Sequence, residues 1–370
     1  MIIKDISLKN FRNYKECQVS FDPFMNIFIG KNAQGKTNLL EAIYLLSLSK
    51  SFKTNILTEM IYFDNDFSKL SAYVESSSKN ILLEIVISKL GKKAMINSSE
   101  ISKSSDYVGY LNVVLFVPED LMLIKGSPKN RRSFMDIEIS KISPIYLFNL
   151  NKYKKLLKER NQYLKILHDK HQKEDDYLEV LSEQMSKLSV DLIKRRIEFI
   201  DLLNDITKKI YHYISLDEEK LFLTYKSSFK KYDYDYILEK YRENYSKDIL
   251  YSKTNVGIHK DDIRIDLDEQ NASIYASQGQ QRSIVLAIKI ALLELIKKEI
   301  GEYPILLLDD VLSELDDSRK TKLLNLIQNK VQTFVTTTSI SGIHHEVINK
   351  SKKIYIEDGM VKGVEEWKKK

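Results

Sequence analysis

Eight consecutive residues, Gly30-Lys31-Asn32-Ala33-Gln34-Gly35-Lys36-Thr37, fit the pattern G-x-x-x-x-G-K-[ST] and follow the apolar run Met25 to Ile29. A strand, a glycine loop and a helix start in that order make a phosphate-binding P-loop. Its backbone N–H groups turn inward on nucleotide phosphates, and the helix expected from Lys36 to about Ser49 adds the partial positive charge of its N-terminus. In such a loop Lys36 reaches the β and γ phosphates of ATP and Thr37 holds Mg²⁺. A second run, Ile305-Leu306-Leu307-Leu308-Asp309-Asp310, has large apolar residues ending in paired carboxylates. It predicts a central parallel strand whose tip presents Asp309 to the same Mg²⁺, with Asp310 placed to position or deprotonate the attacking water.

A third run, Ser277-Gln278-Gly279-Gln280-Gln281-Arg282, precedes an apolar helix expected from about Gln278 to Lys298. Ser277 with Gln280 is a capping box, and a helix start with an uncluttered glycine is a second anion site. For Lys36 and Asp309 to meet at one phosphate, both ends of the chain must build one α/β unit. Strands are predicted at 2–8, 19–21, 25–29, 81–87, 94–96, 113–117, 221–225, 263–267, 305–308 and 333–336 from alternating or apolar runs. Between them, two stretches carry apolar residues three and four apart. Leu150, Tyr153, Leu157, Leu164 and Leu167 form the first, interrupted by Arg160; Leu178 through Ile206 form the second, interrupted by Arg195. Both predict amphipathic helices joined by a polar loop over 168–176, the second about 29 residues or roughly 43 Å long. That length gives a compact helical lobe and excludes a long coiled-coil arm.

Composition sets the outer limits. Of 370 residues 43% are hydrophobic, enough for substantial cores, and one cysteine, Cys17, excludes an internal disulfide framework. The longest oily stretch, 284–296, is broken by Lys289 and Glu294, well short of the roughly twenty apolar residues of a membrane span. With no secretion-signal layout at its start, a cytoplasmic location is expected. A net charge of +6 permits nucleic-acid binding without requiring it.

Arg282 lies 27 residues before Asp309, the order and spacing of the signature motif in ABC-type ATPases, which the chain resembles. Ser313-Glu314-Leu315-Asp316 is similar to their D-loop, and Glu119 and Thr338 stand where transporter ATPases have the Q-loop glutamine and the switch histidine. Within that superfamily the chain resembles the RecF family over nearly its whole length. The resemblance is carried by Leu8-Lys9-Asn10-Phe11-Arg12-Asn13-Tyr14, the P-loop, Pro118 to Gly126 with Arg131-Arg132, Gly257-Ile258-His259-Lys260-Asp261-Asp262, Ser277 to Arg282, and Leu308 to Asp316. The family usually has Pro at the place of Ile258 and Arg at that of Lys260. The resemblance implies an ATP-dependent homodimer in which the P-loop of one copy faces Ser277 and Gly279 of the other. It further implies binding to single-stranded DNA and single/double-strand junctions, help to RecA loading with RecO and RecR, and slow hydrolysis as a switch. Asp310 and Glu119 are the expected catalytic residues, and Arg12 and Asn13 the additional nucleotide contacts. The main alternative is the ATPase subunit of a membrane transporter.

The expected fold is an α/β ABC-type P-loop ATPase head with an inserted, mainly helical lobe: residues 1–120 and 250–370 form the head and 121–249 the insertion. From Lys125 to Lys209 there are 19 Lys and Arg against 13 Asp and Glu. This basic excess makes Lys152, Lys154, Lys155, Lys158, Arg160, Lys194, Arg195 and Arg196 the candidate DNA-phosphate contacts. Tyr232, Tyr234 and Tyr236 would suit base stacking, but half-buried strand or loop aromatics are the preferred reading. His259 beside Asp261 and Asp262 is read as a loop under the nucleotide or dimer interface rather than a metal site.

Overall fold

A computed structural model describes residues 1–77, 79–215, 219–340 and 346–366. The chain divides into two compact units. The first comprises Met1–Asp120, Lys209–Glu218 and Arg282–Lys370, the second Leu121–Lys208 and Glu219–Gln281. The expected return to the head at 250 therefore differs from the observed one at 282. The reason is a small sheet: Asp262–Leu267 pairs antiparallel with Leu221–Lys226 and with Gln270–Asn271, tying residues after 250 to the inserted unit.

The first unit contains two six-stranded sheets. One is antiparallel throughout, in the order Tyr14–Ser20, Ile2–Phe11, Phe67–Glu75, Asn80–Ser88, Gly91–Ile96, Ser99–Ile101. The other runs Met360–Glu365, Lys352–Glu357, Met25–Ile29, Thr333–Thr337, Ile305–Asp309, Val113–Phe116, parallel except for its terminal hairpin. The P-loop strand Met25–Ile29 and the acidic strand Ile305–Asp309 are thus separated by a single strand, Thr333–Thr337. All three are wholly buried, as the near-continuous apolar runs of a covered parallel sheet require. Helix Lys36–Leu48, apolar on almost every side, packs against strands of both sheets. The strand Phe67–Glu75 escaped the sequence reading because its buried face, Ser68, Leu70, Ala72 and Val74, includes a serine and alternates with Lys69 and Ser71, leaving no dense apolar run.

The second unit is built on helices Pro128–Ile142, Pro144–Asp169 and the inserted unit's share of Asp176–Ser215. The last has 40 residues, about 60 Å at 1.5 Å per residue. It outruns the expected 29 because Ile210, Tyr211 and Ile214 continue the apolar stripe beyond Ile206. Tyr234 and Tyr236 lie in a helix, Tyr234–Glu243 capped by Asp233, where strand or loop had been expected. Among the described residues no helix is long and apolar enough to cross a membrane.

Candidate functional site

A cleft of about 340 Å³ opens in the first unit, lined by Asn32, Ala33, Gly35, Lys36, Thr37, Asn38, Lys53, Pro118, Glu119, Asp309, Asp310 and Thr336. The loop that frames it needs left-handed backbone at Ala33 (φ 66°) and Gly35 (φ 114°), and at the second of these a glycine avoids the steric penalty. Lys36 donates to the carbonyls of Gly30 and Lys31 at 2.6 and 2.7 Å, closing the loop on itself. Burial pulls its ammonium below the ordinary lysine range, against the raising influence of Asp310 and Asp309.

The acidic strand delivers two carboxylates into different surroundings. Asp309 is buried, and its Oδ1 accepts from Thr37 Oγ1 at 2.9 Å and from Thr336 Oγ1 at 2.7 Å. Register explains the second contact, since Asp309 sits opposite Thr336 in the parallel ladder. Asp310 is exposed and left-handed (φ 54°), a conformation uncommon for a non-glycine residue. It is held there by its own N–H on Thr336 Oγ1 and by Ser313 Oγ, 2.9 Å from its Oδ1. Glu119 is an exposed part of the lining. Thr336 and Lys53 were missing from the sequence reading. Lys53 reaches the cleft from the segment after the P-loop helix, donating to Asn38 Oδ1 at 2.8 Å, and burial lowers its pKa against the pull of Glu41 and Asp309. A lone lysine carries no motif, so only folding could reveal it.

Arg12 and Asn13 do not line the cleft. Arg12 makes a two-pronged pair with the fully buried Glu41, at 2.9 and 2.5 Å, and donates to the Glu59 carbonyl. Asn13 braces the loop from outside, donating to the Gln34 carbonyl at 3.1 Å. After the acidic strand, Ser313, Glu314 and Leu315 lead to Asp316, which caps helix Asp317–Ile327 by accepting from Arg319 N. Arg282 donates to the Glu314 carbonyl at 3.1 Å. In the second unit the capping box forms as expected: Gln280 N–H on Ser277 Oγ at 3.2 Å and Ser277 N–H on Gln280 Oε1 at 2.6 Å. Ser277 and Gln278 are exposed, while Gln281 is buried and donates to the Ala276 carbonyl.

The candidate DNA contacts divide sharply. Lys152, Lys154, Lys155, Lys158 and Lys194 are exposed, Lys154 pairing with Asp136, and the half-buried Arg195 pairs with Glu198. Arg160 and Arg196 are buried and cannot meet a phosphate backbone. Arg160 is bound to Asp248, Ser182 and Thr254; Arg196 is bound to Asp136, Asp261, Tyr146 and the Ile258 carbonyl. Both fall on the inward face of their helices, where a guanidinium persists only when paired with carboxylates. His259 lies in the same unit, between Tyr153 and the Thr254 carbonyl, each 3.0 Å away. It lines no nucleotide cleft, and no group of three or more His, Cys, Asp or Glu side chains suited to a metal occurs among the described residues.

A domain family described as "RecF/RecN/SMC N terminal domain" matches residues 2–362. The DNA replication and repair protein RecF of Bacillus cytotoxicus is 45% identical over 368 residues, 98% of each chain, and that of Bacillus cereus strain AH820 is 44% identical over the same share. The chain belongs to the RecF family. A solved structure of the recombination mediator protein RecF-ATP in the RecFOR pathway superposes with a TM-score of 0.90 at 33% identity, over 99% of this chain and 98% of its own. The RecF-ATPrS structure of that pathway gives 0.89 at 34%, over 97% of both chains. An SMC head bound to the C-winged helix domain of ScpA shares the fold, with a TM-score of 0.58 at 16% identity over 99% of this chain and 98% of its own. The fold is that of RecF and SMC heads, an ABC-type ATPase α/β head with a mainly helical insertion.

Proposed function

We propose that the chain is an ATP-dependent, dimerising DNA-binding protein of recombinational repair and replication restart. The observation that carries this reading is the junction of three elements at one oxygen, where Thr37 and Thr336 both donate to Asp309 at the floor of the P-loop cleft. ATP as ligand is supported by the two RecF relatives solved with ATP or ATPrS. The donor set also fits Mg²⁺, a hard cation that takes one or two carboxylate or hydroxyl ligands and leaves the rest to phosphate and water. Bound between Thr37 and Asp309, Mg²⁺ would neutralise charge on the β and γ phosphates. Lys36 supplies a second positive charge, Asp310 orients or deprotonates the attacking water, and Glu119 is the alternative base.

In the proposed cycle, ATP brings two copies together, with Ser277 and Gly279 of one meeting the γ-phosphate held by the other, and the D-loop 313–316 beside it. The closed dimer holds single-stranded or junction DNA through exposed lysines of the inserted unit, assists RecA loading with RecO and RecR, and opens on slow hydrolysis in the cytoplasm. Thr338 in place of a switch histidine, together with membership of the RecF family, weighs against the transporter alternative. The test is whether the protein, without detergent, shifts a gapped duplex only when ATP is present. Lys36→Ala should lose ATP affinity and that shift together; unchanged ATP affinity would remove the P-loop assignment.

A further inference from the structure

The phosphate loop is held from behind by the far end of the chain. In the hairpin of Lys352–Glu357 and Met360–Glu365, the turn residues Asp358 and Gly359 are both left-handed. Asp358 N–H donates to Gln34 Oε1 at 2.7 Å, and Gly359 N–H donates to the Gln34 carbonyl at 3.0 Å. That carbonyl also accepts from Asn13 Nδ2. Gln34 lies between the two left-handed residues of the loop, Ala33 and Gly35. The fit is close: a Cβ on Gly359 would stand 2.0 Å from the Asn13 carbonyl oxygen, and one on Gly30 would stand 2.2 Å from that of Ile356. Gln34 is absent from the cleft lining, so its side chain acts on the loop and does not face the cleft.

We propose that the Asp358–Gly359 turn, acting through Gln34, is a brace that fixes the phosphate loop in its binding conformation and thereby sets nucleotide affinity. The argument is one of preorganisation: a cradle of N–H groups binds tightly only if its shape is prepared before the ligand arrives. Gln34 is a positioning residue in this scheme, and the proposal rests on the reading of the cleft as an ATP site.

The experiment compares Gly359→Ala, Gln34→Ala and the control Gly363→Ala, whose new Cβ would meet only Tyr355 Cδ2 at 3.8 Å. Titration with a fluorescent ATP analogue and steady-state ATPase assays give Kd, KM and kcat. Gly359→Ala should raise Kd and KM roughly tenfold or more and Gln34→Ala about fivefold, the loss of one or two anchoring bonds. In both, kcat at saturating ATP should stay within about twofold of wild type, because ground state and transition state lose the same positioning. Gly363→Ala should match wild type. If Gly359→Ala does not fold, Gln34→Ala still decides the matter. Wild-type Kd in Gln34→Ala, or a fall in kcat at unchanged KM, would overturn the brace. Failure of wild type and control to bind the analogue would instead bring down the ATP reading, and the brace with it.

Discussion

Asp309 and Asp310 are neighbours in sequence and opposites in environment. Asp309 is buried with two hydroxyl donors on one oxygen, whereas Asp310 is exposed beside Ser313. Asp309→Asn should therefore weaken Mg²⁺–ATP binding itself, while Asp310→Asn should leave binding intact and slow cleavage by about 10² or more. Single-turnover hydrolysis and nucleotide titration of both variants check this, and wild-type cleavage in Asp310→Asn would transfer the base to Glu119. The motif located both carboxylates, but their contrast follows from the ladder position of Thr336, which no local pattern announces. His259 gives a second prediction at this scale. Burial lowers its pKa to about 4, from 6.5 in the open chain. Between those values the unfolded state binds the extra proton, so stability is full above pH 6.5 and declines as pH falls toward 4, by at most about 3 kcal/mol. Urea melts of wild type and His259→Gln across that window should show the pH slope reduced in the variant.

At the scale of elements, the helices of the inserted unit explain why charge counting over-assigned the DNA surface. The basic excess was legible in composition, but facing is decided by the helical period, and Arg160 and Arg196 fall on buried faces among carboxylates. A buried arginine resembles a surface one in sequence because its partners, Asp248, Asp136 and Asp261, are distant along the chain. The two classes should separate cleanly. Arg196→Ala takes the buried cation away from Asp261 and leaves Asp136 only the exposed Lys154, and should cost about 3–5 kcal/mol of stability in denaturant melts. Changing the exposed Lys152, Lys155 and Lys194 to Gln should leave the melt within about 0.5 kcal/mol and flatten the salt dependence of duplex binding by up to about 2.7 in log–log slope. An unchanged slope in that triple variant would move the DNA surface off these helices. The same distinction between local and distant signal accounts for the strands: Met25–Ile29 and Ile305–Asp309 announced themselves as apolar runs, while Phe67–Glu75 is half polar and is specified mainly by its neighbours in the sheet.

At the scale of the whole molecule, the chain makes one α/β unit from both ends because the phosphate loop and the acidic strand are 272 residues apart yet bonded through Thr37 and Asp309. That closure was readable from the motifs, since each is chemically incomplete alone. The proposed signature leaves its surface open: Ser277 and Gln278 are exposed at a helix start, with the capping box already satisfied locally. A helix cap needs only the Ser277 oxygen, whereas contact with a second copy needs the surrounding surface to stay clear. Ser277→Arg and Ser277→Asn separate the two roles. Asn retains the cap and should preserve ATP-driven dimerisation, while Arg adds bulk and should abolish it, both leaving ATP affinity within about twofold of wild type. Light scattering with and without ATP, alongside nucleotide titration, measures this. Dimerisation of Ser277→Arg at wild-type protein concentration would leave Ser277 a helix cap and nothing more, and would shift the search for the second phosphate contact to the D-loop around Ser313.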